Sequence, residues 1–186
     1  MRMWLSGTCD STELTALTTH IGGATMADGN PKPLAVGDSL PDIALPNQKG
    51  EMVSLRSHIG TASLVLFFYP KDGTPVCTRE ACSFGNRYEE FRNLEAEVIG
   101  ISDDPPESHD SFAVQHGLPF TLLSDANGQA RRRFGTGSMA GLVPGRVTYV
   151  VDKQGIVRHI YRSRFRARKH IEEALSALKG EAQSSD

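Results

Sequence analysis

Apolar runs and amphipathic stretches take turns along most of this chain. Ser63 to Tyr69 reads Ser-Leu-Val-Leu-Phe-Phe-Tyr and stops at Pro70. A near-continuous apolar run of this length fits a strand buried on both faces. Ala96–Ser102 predicts a second strand of that kind, Phe120–Leu123 a short one and Val147–Val151 another. The turn at residues 152–155 leads into Ile156–Tyr161, which completes a hairpin. Before the central run, residues 36–46 are extended and punctuated by Pro and Gly, and Met52, Val53 and Leu55 mark a short strand.

The helical period appears between these runs. Thr74 is placed as N-cap and Pro75 as first helical residue of a helix over 75–94, where Ala81, Phe84, Tyr88 and Phe91 recur at steps of three or four. Residues 106–116 predict a helix with Phe112 and Ala113 inward, and 129–134 a short one. Residues 167–179 predict a last helix with Ile171, Ala174, Leu175 and Leu178 on one face. Strands alternating with helices and a late hairpin give an α/β class, a mixed central sheet with helices on both faces.

The domain implied by this pattern spans residues 34–179. Residues 1–33 carry no sustained apolar period and are rich in Thr, Gly and Ser, so they are expected to be a disordered extension, with Met26 as a second plausible start. Residues 180–186 are expected to be a frayed polar tail. At 186 residues, 39% apolar and 23% charged, the chain is long enough for one core and too apolar for global disorder.

A formal charge of −2 gives no reason to expect nucleic acid or a membrane surface as partner. No apolar run reaches the length of a membrane span. After Arg2 only Met3, Trp4 and Leu5 precede a polar stretch, which is no signal peptide. The single Arg and the acids Asp10, Glu13 and Asp28 within residues 1–33 argue against a transit peptide. A cytoplasmic protein is the expectation. Three cysteines, Cys9, Cys77 and Cys82, are too few for a secreted disulfide framework, and the close pair suggests redox chemistry or metal binding.

The chemistry concentrates in Tyr69-Pro70-Lys71-Asp72-Gly73-Thr74-Pro75-Val76-Cys77-Thr78-Arg79-Glu80-Ala81-Cys82. Cys77 falls in the first turn of the helix, where free amides and the dipole favour an anion and hence the nucleophilic thiolate. A peroxidase also needs donors aimed at the O–O bond. Thr74, three residues before Cys77, can bring its hydroxyl beside the sulfur. Pro70, lacking an N–H, can cover it from water. Arg146, opening the strand Arg146-Val147-Thr148-Tyr149-Val150, is the candidate cation.

Pro70-x-x-x-Thr74-x-x-Cys77 resembles the Pro-x-x-x-Thr/Ser-x-x-Cys signature of peroxiredoxins. Cys82 five residues on resembles the atypical two-cysteine subgroup called bacterioferritin comigratory protein or peroxiredoxin Q. Gly100-Ile101-Ser102-Asp103-Asp104, Leu118-Pro119-Phe120, Leu122-Leu123-Ser124-Asp125 and residues 146–152 are similar to that subgroup too. The resemblance covers residues 34–179. It implies a thioredoxin-like fold, Cys77 as peroxidatic and Cys82 as resolving cysteine, and Pro70, Thr74 and Arg146 as the rest of the site. It also implies a hydroperoxide substrate, a thioredoxin-type dithiol reductant and a monomer.

Five residues of helix rise about 7.5 Å and turn about 140°, which sets the two Cα atoms roughly 8.7 Å apart. A disulfide tolerates about 4.4–6.8 Å. Cys77 and Cys82 therefore bond only if the helix start unwinds. Cys9 is expected to be a bystander.

Neither a cofactor nor a metal is expected. No second cysteine pair or suitably spaced His pair follows Cys82, and Gly135-Thr136-Gly137 is no dinucleotide fingerprint. His109 and His116 read as surface residues of one helix. Arg158, Arg162, Arg164, Arg166, Arg168 and Lys169 form a basic run without an acid, read first as a solvated edge and second as a docking patch. Beside the peroxidase stand a disulfide exchanger, disfavoured because no Cys-x-x-Cys occurs, and a non-enzymatic interaction module.

Overall fold

In the computed structural model, which describes residues 32–136 and 145–184, the apolar run after residue 62 lies at the centre of a five-stranded sheet. In chain order the elements are β1 (Ala44–Pro46), β2 (Met52–Ser54), a 3₁₀ turn (Leu55–His58), β3 (Ser63–Phe68), α1 (Pro75–Asn86), α2 (Tyr88–Asn93) and β4 (Ala96–Ser102). There follow α3 (Pro106–His116), β5 (Thr121–Ser124), α4 (Gln129–Phe134), β6 (Val147–Val151), β7 (Val157–Arg162) and α5 (Ala167–Ser184). The expectations for residues 1–31, including Cys9 and Met26, and for the loop at 137–144 lie outside the described residues.

The sheet order is β5-β4-β3-β6-β7, with β3, β4 and β5 parallel and β6 and β7 antiparallel to their neighbours. β1 and β2 form a separate two-stranded ribbon. The mixed sheet expected from the pattern is thus present, and β3 explains why its sequence does not alternate. Val65, Phe67 and Tyr69 enter one core with α1, α2, α3 and α5, while Leu64, Leu66 and Phe68 enter the other with α4 and the N-terminal ribbon. Side chains of a strand alternate between faces, so a strand covered on both must be apolar throughout.

Three element boundaries differ from expectation. The helix expected over 75–94 breaks at Arg87, which has φ −115° and ψ 14°. Gly85 and Asn86, both weak helix formers, precede the break, and Phe84 and Phe91 still reach one core with ring centroids 5.7 Å apart. Leu55 leaves the strand expected around residue 53 and is fully buried in the 3₁₀ turn. The last helix does not end at Lys179: it continues through Gly180 to Ser184, and Glu181 lies 3.4 Å from Arg158. On α5, Ile171, Leu175 and Leu178 are all nearly inaccessible, each contributing roughly 1.5–3 kcal/mol by burial. No helix among the described residues is long and apolar enough to cross a membrane.

The antiparallel register pairs Phe68 with Val147. Arg146 therefore lies beside the point where β3 hands the chain to the loop before α1.

Candidate active site

The loop from Pro70 to Thr74 is fixed by its third residue. The amide of Asp72 donates to Asp104 Oδ2 at 2.8 Å, and its carboxylate accepts from Tyr69 Oη at 2.7 Å and Ser108 Oγ at 2.9 Å. His109 Nδ1 is 2.8 Å from the same carboxylate, and its Nε2 is 3.2 Å from the Leu123 carbonyl. Burial works to raise Asp72, but His109, Tyr69 and Ser108 together outweigh it and hold the carboxyl below its usual value. His109 is thus not the surface residue expected: it is fully buried. It shares the inward face of α3 with Phe112 and Ala113, and a histidine is tolerated there because both ring nitrogens find oxygen partners.

Thr74 stands at the N-cap and Pro75 at the first helical position, as the sequence predicts. The Thr74 hydroxyl departs from expectation. It makes no capping bond and donates to the Lys71 carbonyl at 3.2 Å. Within the helix the first-turn amides of Val76 and Cys77 consequently have no acceptor. Pro70 is half-buried at the end of β3.

Cys77 is 2% exposed. Arg146 reaches it from the start of β6, with Nη2 3.3 Å from Sγ. The other terminal nitrogen, Nη1, donates to Glu80 Oε2. Glu80 is one turn after Cys77 and completely buried, so the guanidinium is forked between a carboxylate and the sulfur. Burial works against the charged form of Arg146, yet Glu80 and Cys77 together raise its pKa. Burial pushes Glu80 up to about 7, with Arg146 pulling the other way.

Beyond Glu80 the polar chain continues. Its Oε1 has no hydrogen-bond partner among the described residues and lies 3.7 Å from His170 Nδ1. His170 Nε2 is 3.0 Å from the Ser163 carbonyl and Nδ1 is 2.8 Å from Thr148 Oγ1. A carbonyl only accepts, so Nε2 carries the proton, and in the neutral ring Nδ1 accepts from the Thr148 hydroxyl. That tautomer is neutral, in keeping with a pKa that burial pushes down to about 4, aided by nearby Arg146.

Cys82 is half-buried, and both it and the buried Cys77 are free thiols with α1 continuous through them. The structure thus joins Cys77 to Arg146, leaves Cys82 on another side of α1, and bonds the Thr74 hydroxyl to the Lys71 carbonyl. The residues missed by sequence reasoning are Glu80, His170, Thr148 and the Asp72–His109 pair. A signal existed for Glu80: it falls at the helical period among Cys77, Ala81 and Phe84, a carboxylate inside an apolar stripe. Among the described residues, no three His, Cys, Asp or Glu side chains group as metal ligands.

Comparison with known proteins addresses the family and the fold. The AhpC/TSA family pattern matches residues 36–160. Chloroplastic peroxiredoxin Q of Arabidopsis thaliana is 48% identical over 144 residues, which cover 77% of this chain and 66% of the plant protein. Among solved structures, peroxidoxin BcpB from Mycobacterium tuberculosis superposes with a TM-score of 0.74 at 36% identity, covering 79% of this chain and 97% of its own. A bacterioferritin comigratory protein from Xanthomonas campestris, studied for alkyl peroxide reduction, gives 0.71 at 32% identity over 78% of this chain and 99% of that one. The plant relatives are chloroplastic, and this overturns the cytoplasmic location expected from the N-terminal composition.

Proposed function

The chain belongs to the AhpC/TSA family, among relatives of the peroxiredoxin Q type, and from that premise we propose that it reduces hydroperoxides with Cys77 as the attacking sulfur. The observation that carries the assignment is the contact of Arg146 with Cys77 Sγ at 3.3 Å, inside the first turn of α1. A buried guanidinium and free helix amides stabilise negative charge, first on the thiolate and then on the oxygen that departs.

The Cys77 thiolate forms an S–O bond with one peroxide oxygen while the O–O bond breaks. The leaving oxygen takes a proton and departs as water or alcohol, and Cys77 becomes a sulfenic acid. The start of α1 unwinds. Cys82 then forms the S–S bond as the sulfenic oxygen leaves in water. A dithiol protein of the thioredoxin type returns both cysteines to thiols. The chloroplastic relatives support a plastid as the place of this chemistry.

Peroxide consumption coupled to thioredoxin, its reductase and a nicotinamide reductant tests the reading. Cys77→Ser should lose all activity. Cys82→Ser should reduce about one equivalent of peroxide and then stop. Sustained thioredoxin-linked turnover in Cys82→Ser would remove the resolving role.

A further inference from the structure

The basic run from residue 158 to 169 is not uniformly solvated. Arg158 pairs with Asp152 at 2.6 Å, Arg162 lies 5.8 Å over the Tyr149 ring, and Lys169 reaches Glu173 at 3.5 Å. Arg166 and Arg168 are exposed and take part in no ion pair among the described residues. Both line a groove of about 510 Å³ between α1 and the start of α5, together with Arg79 of α1 and Phe165. Arg79 is likewise without an ion pair among the described residues. Phe165 is 81% exposed.

Two physical facts make this groove more than a solvated edge. The first turn of α5 contains Arg168 and Lys169 and no acid. Cations there oppose the positive end of the helix dipole, an arrangement that an approaching anion relieves. A large exposed phenylalanine beside unpaired arginines is also the composition of an interface core with its charged rim. Helix geometry then links the groove to the redox chemistry. Cys82 lies about 40° round α1 from Asn86, at the edge of the turn that must unwind and on the outward side of the helix. Asn86 lines an adjoining hollow of about 200 Å³ that shares Arg168 and Glu172 with the groove.

We propose that this groove is the docking surface for the reducing partner, a dithiol protein with acidic residues around an apolar patch beside its reactive cysteine. The inference rests on the reading of Cys82 as resolving cysteine. Docked there, the partner's thiolate attacks the Cys82 sulfur of the Cys77–Cys82 disulfide. A mixed disulfide forms and Cys77 leaves as thiolate. The partner's second thiol then attacks the mixed disulfide, releasing Cys82. The partner ends as a disulfide and this chain as a dithiol, with two electrons transferred.

The test compares wild type with Arg166→Glu and with Arg168→Glu, using reduced thioredoxin and dithiothreitol as alternative reductants. Disulfide formation after peroxide is followed by intact mass. In both variants the disulfide should form as in wild type and dithiothreitol should reduce it at the wild-type rate. The KM for thioredoxin should rise about tenfold, since rim charges act mainly on association. Wild-type turnover with thioredoxin should fall as salt rises, and the variants should lose that dependence. An unchanged thioredoxin KM overturns the proposal, as does a loss shared by dithiothreitol, which would place the defect at the cysteines. Selective loss of duplex DNA binding with intact thioredoxin kinetics overturns it in favour of a nucleic-acid surface. Failure of wild type to form the disulfide strikes the resolving role itself and is read separately from any KM.

Discussion

At the scale of single residues, the site depends on one guanidinium serving two acceptors. Arg146 holds Glu80 with one terminal nitrogen and the Cys77 sulfur with the other. A lysine offers its donors from a single nitrogen and lacks the rigid planar fork whose two nitrogens reach both acceptors. Arg146→Ala should slow sulfenic acid formation by about a hundredfold, the scale of losing one preorganised donor. Arg146→Lys should recover only a small part, as measured by quenched-flow mass spectrometry of Cys77 oxidation. A full rescue by lysine would show that charge alone suffices. The sequence made Cys77 and Arg146 legible because a cysteine at a helix mouth and an arginine opening a strand fit a recognisable signature. It hid Glu80 and His109 because both are polar types, although each shares its helical period with buried apolar neighbours. The Thr74 hydroxyl could not be assigned from spacing, since spacing fixes where a side chain starts and not which carbonyl it finds.

Elements show a different balance. The bounds of β4, α3, α4 and β6 follow directly from the apolar pattern, because each is either buried on both faces or ended by a turn residue. The extra turn of α5 was not legible, because it depends on a tertiary partner, Arg158 for Glu181, whereas the break between α1 and α2 had its signal in Gly85 and Asn86, masked by an apolar period that runs on to Phe91. One element makes a further demand. A Cβ placed on Gly100 of β4 would lie 2.6 Å from Leu122 Cδ2 and 2.7 Å from Phe67 Cζ. Gly100→Ala should therefore destabilise the protein by about 1–3 kcal/mol through overpacking, seen as a lower denaturant midpoint at unchanged slope. A midpoint equal to wild type would mean that the Phe67 ring yields freely.

For the whole molecule, two buried groups with opposed shifts shape the pH dependence of stability. Burial raises Glu80 from 4.5 to about 7. Between those values the folded protein keeps a proton that the unfolded chain has lost, so stability falls as pH rises. Burial lowers His170 from 6.5 to about 4. There the unfolded chain holds the extra proton, and stability rises with pH. The two slopes oppose each other where the windows overlap, roughly pH 4.5 to 6.5. Asp72, held below 3.8, contributes stability that is lost only at more acid pH. Wild type should be nearly flat across the overlap, whereas Glu80→Gln should become steadily more stable towards its upper end. Urea titrations at several pH values decide this, and a flat profile in Glu80→Gln would refute the pairing of slopes.

Cys77 and Arg146 stand 69 residues apart, and only the pairing of Phe68 with Val147 brings them together. A ribosome releasing this chain exposes the cysteine well before it has made the arginine. During that interval the sulfur has no guanidinium beside it. Under the reading proposed above, the sulfur gains its cation only with closure of the sheet, so an unfinished polypeptide carries the cysteine without the partner that would make it a target of oxidation.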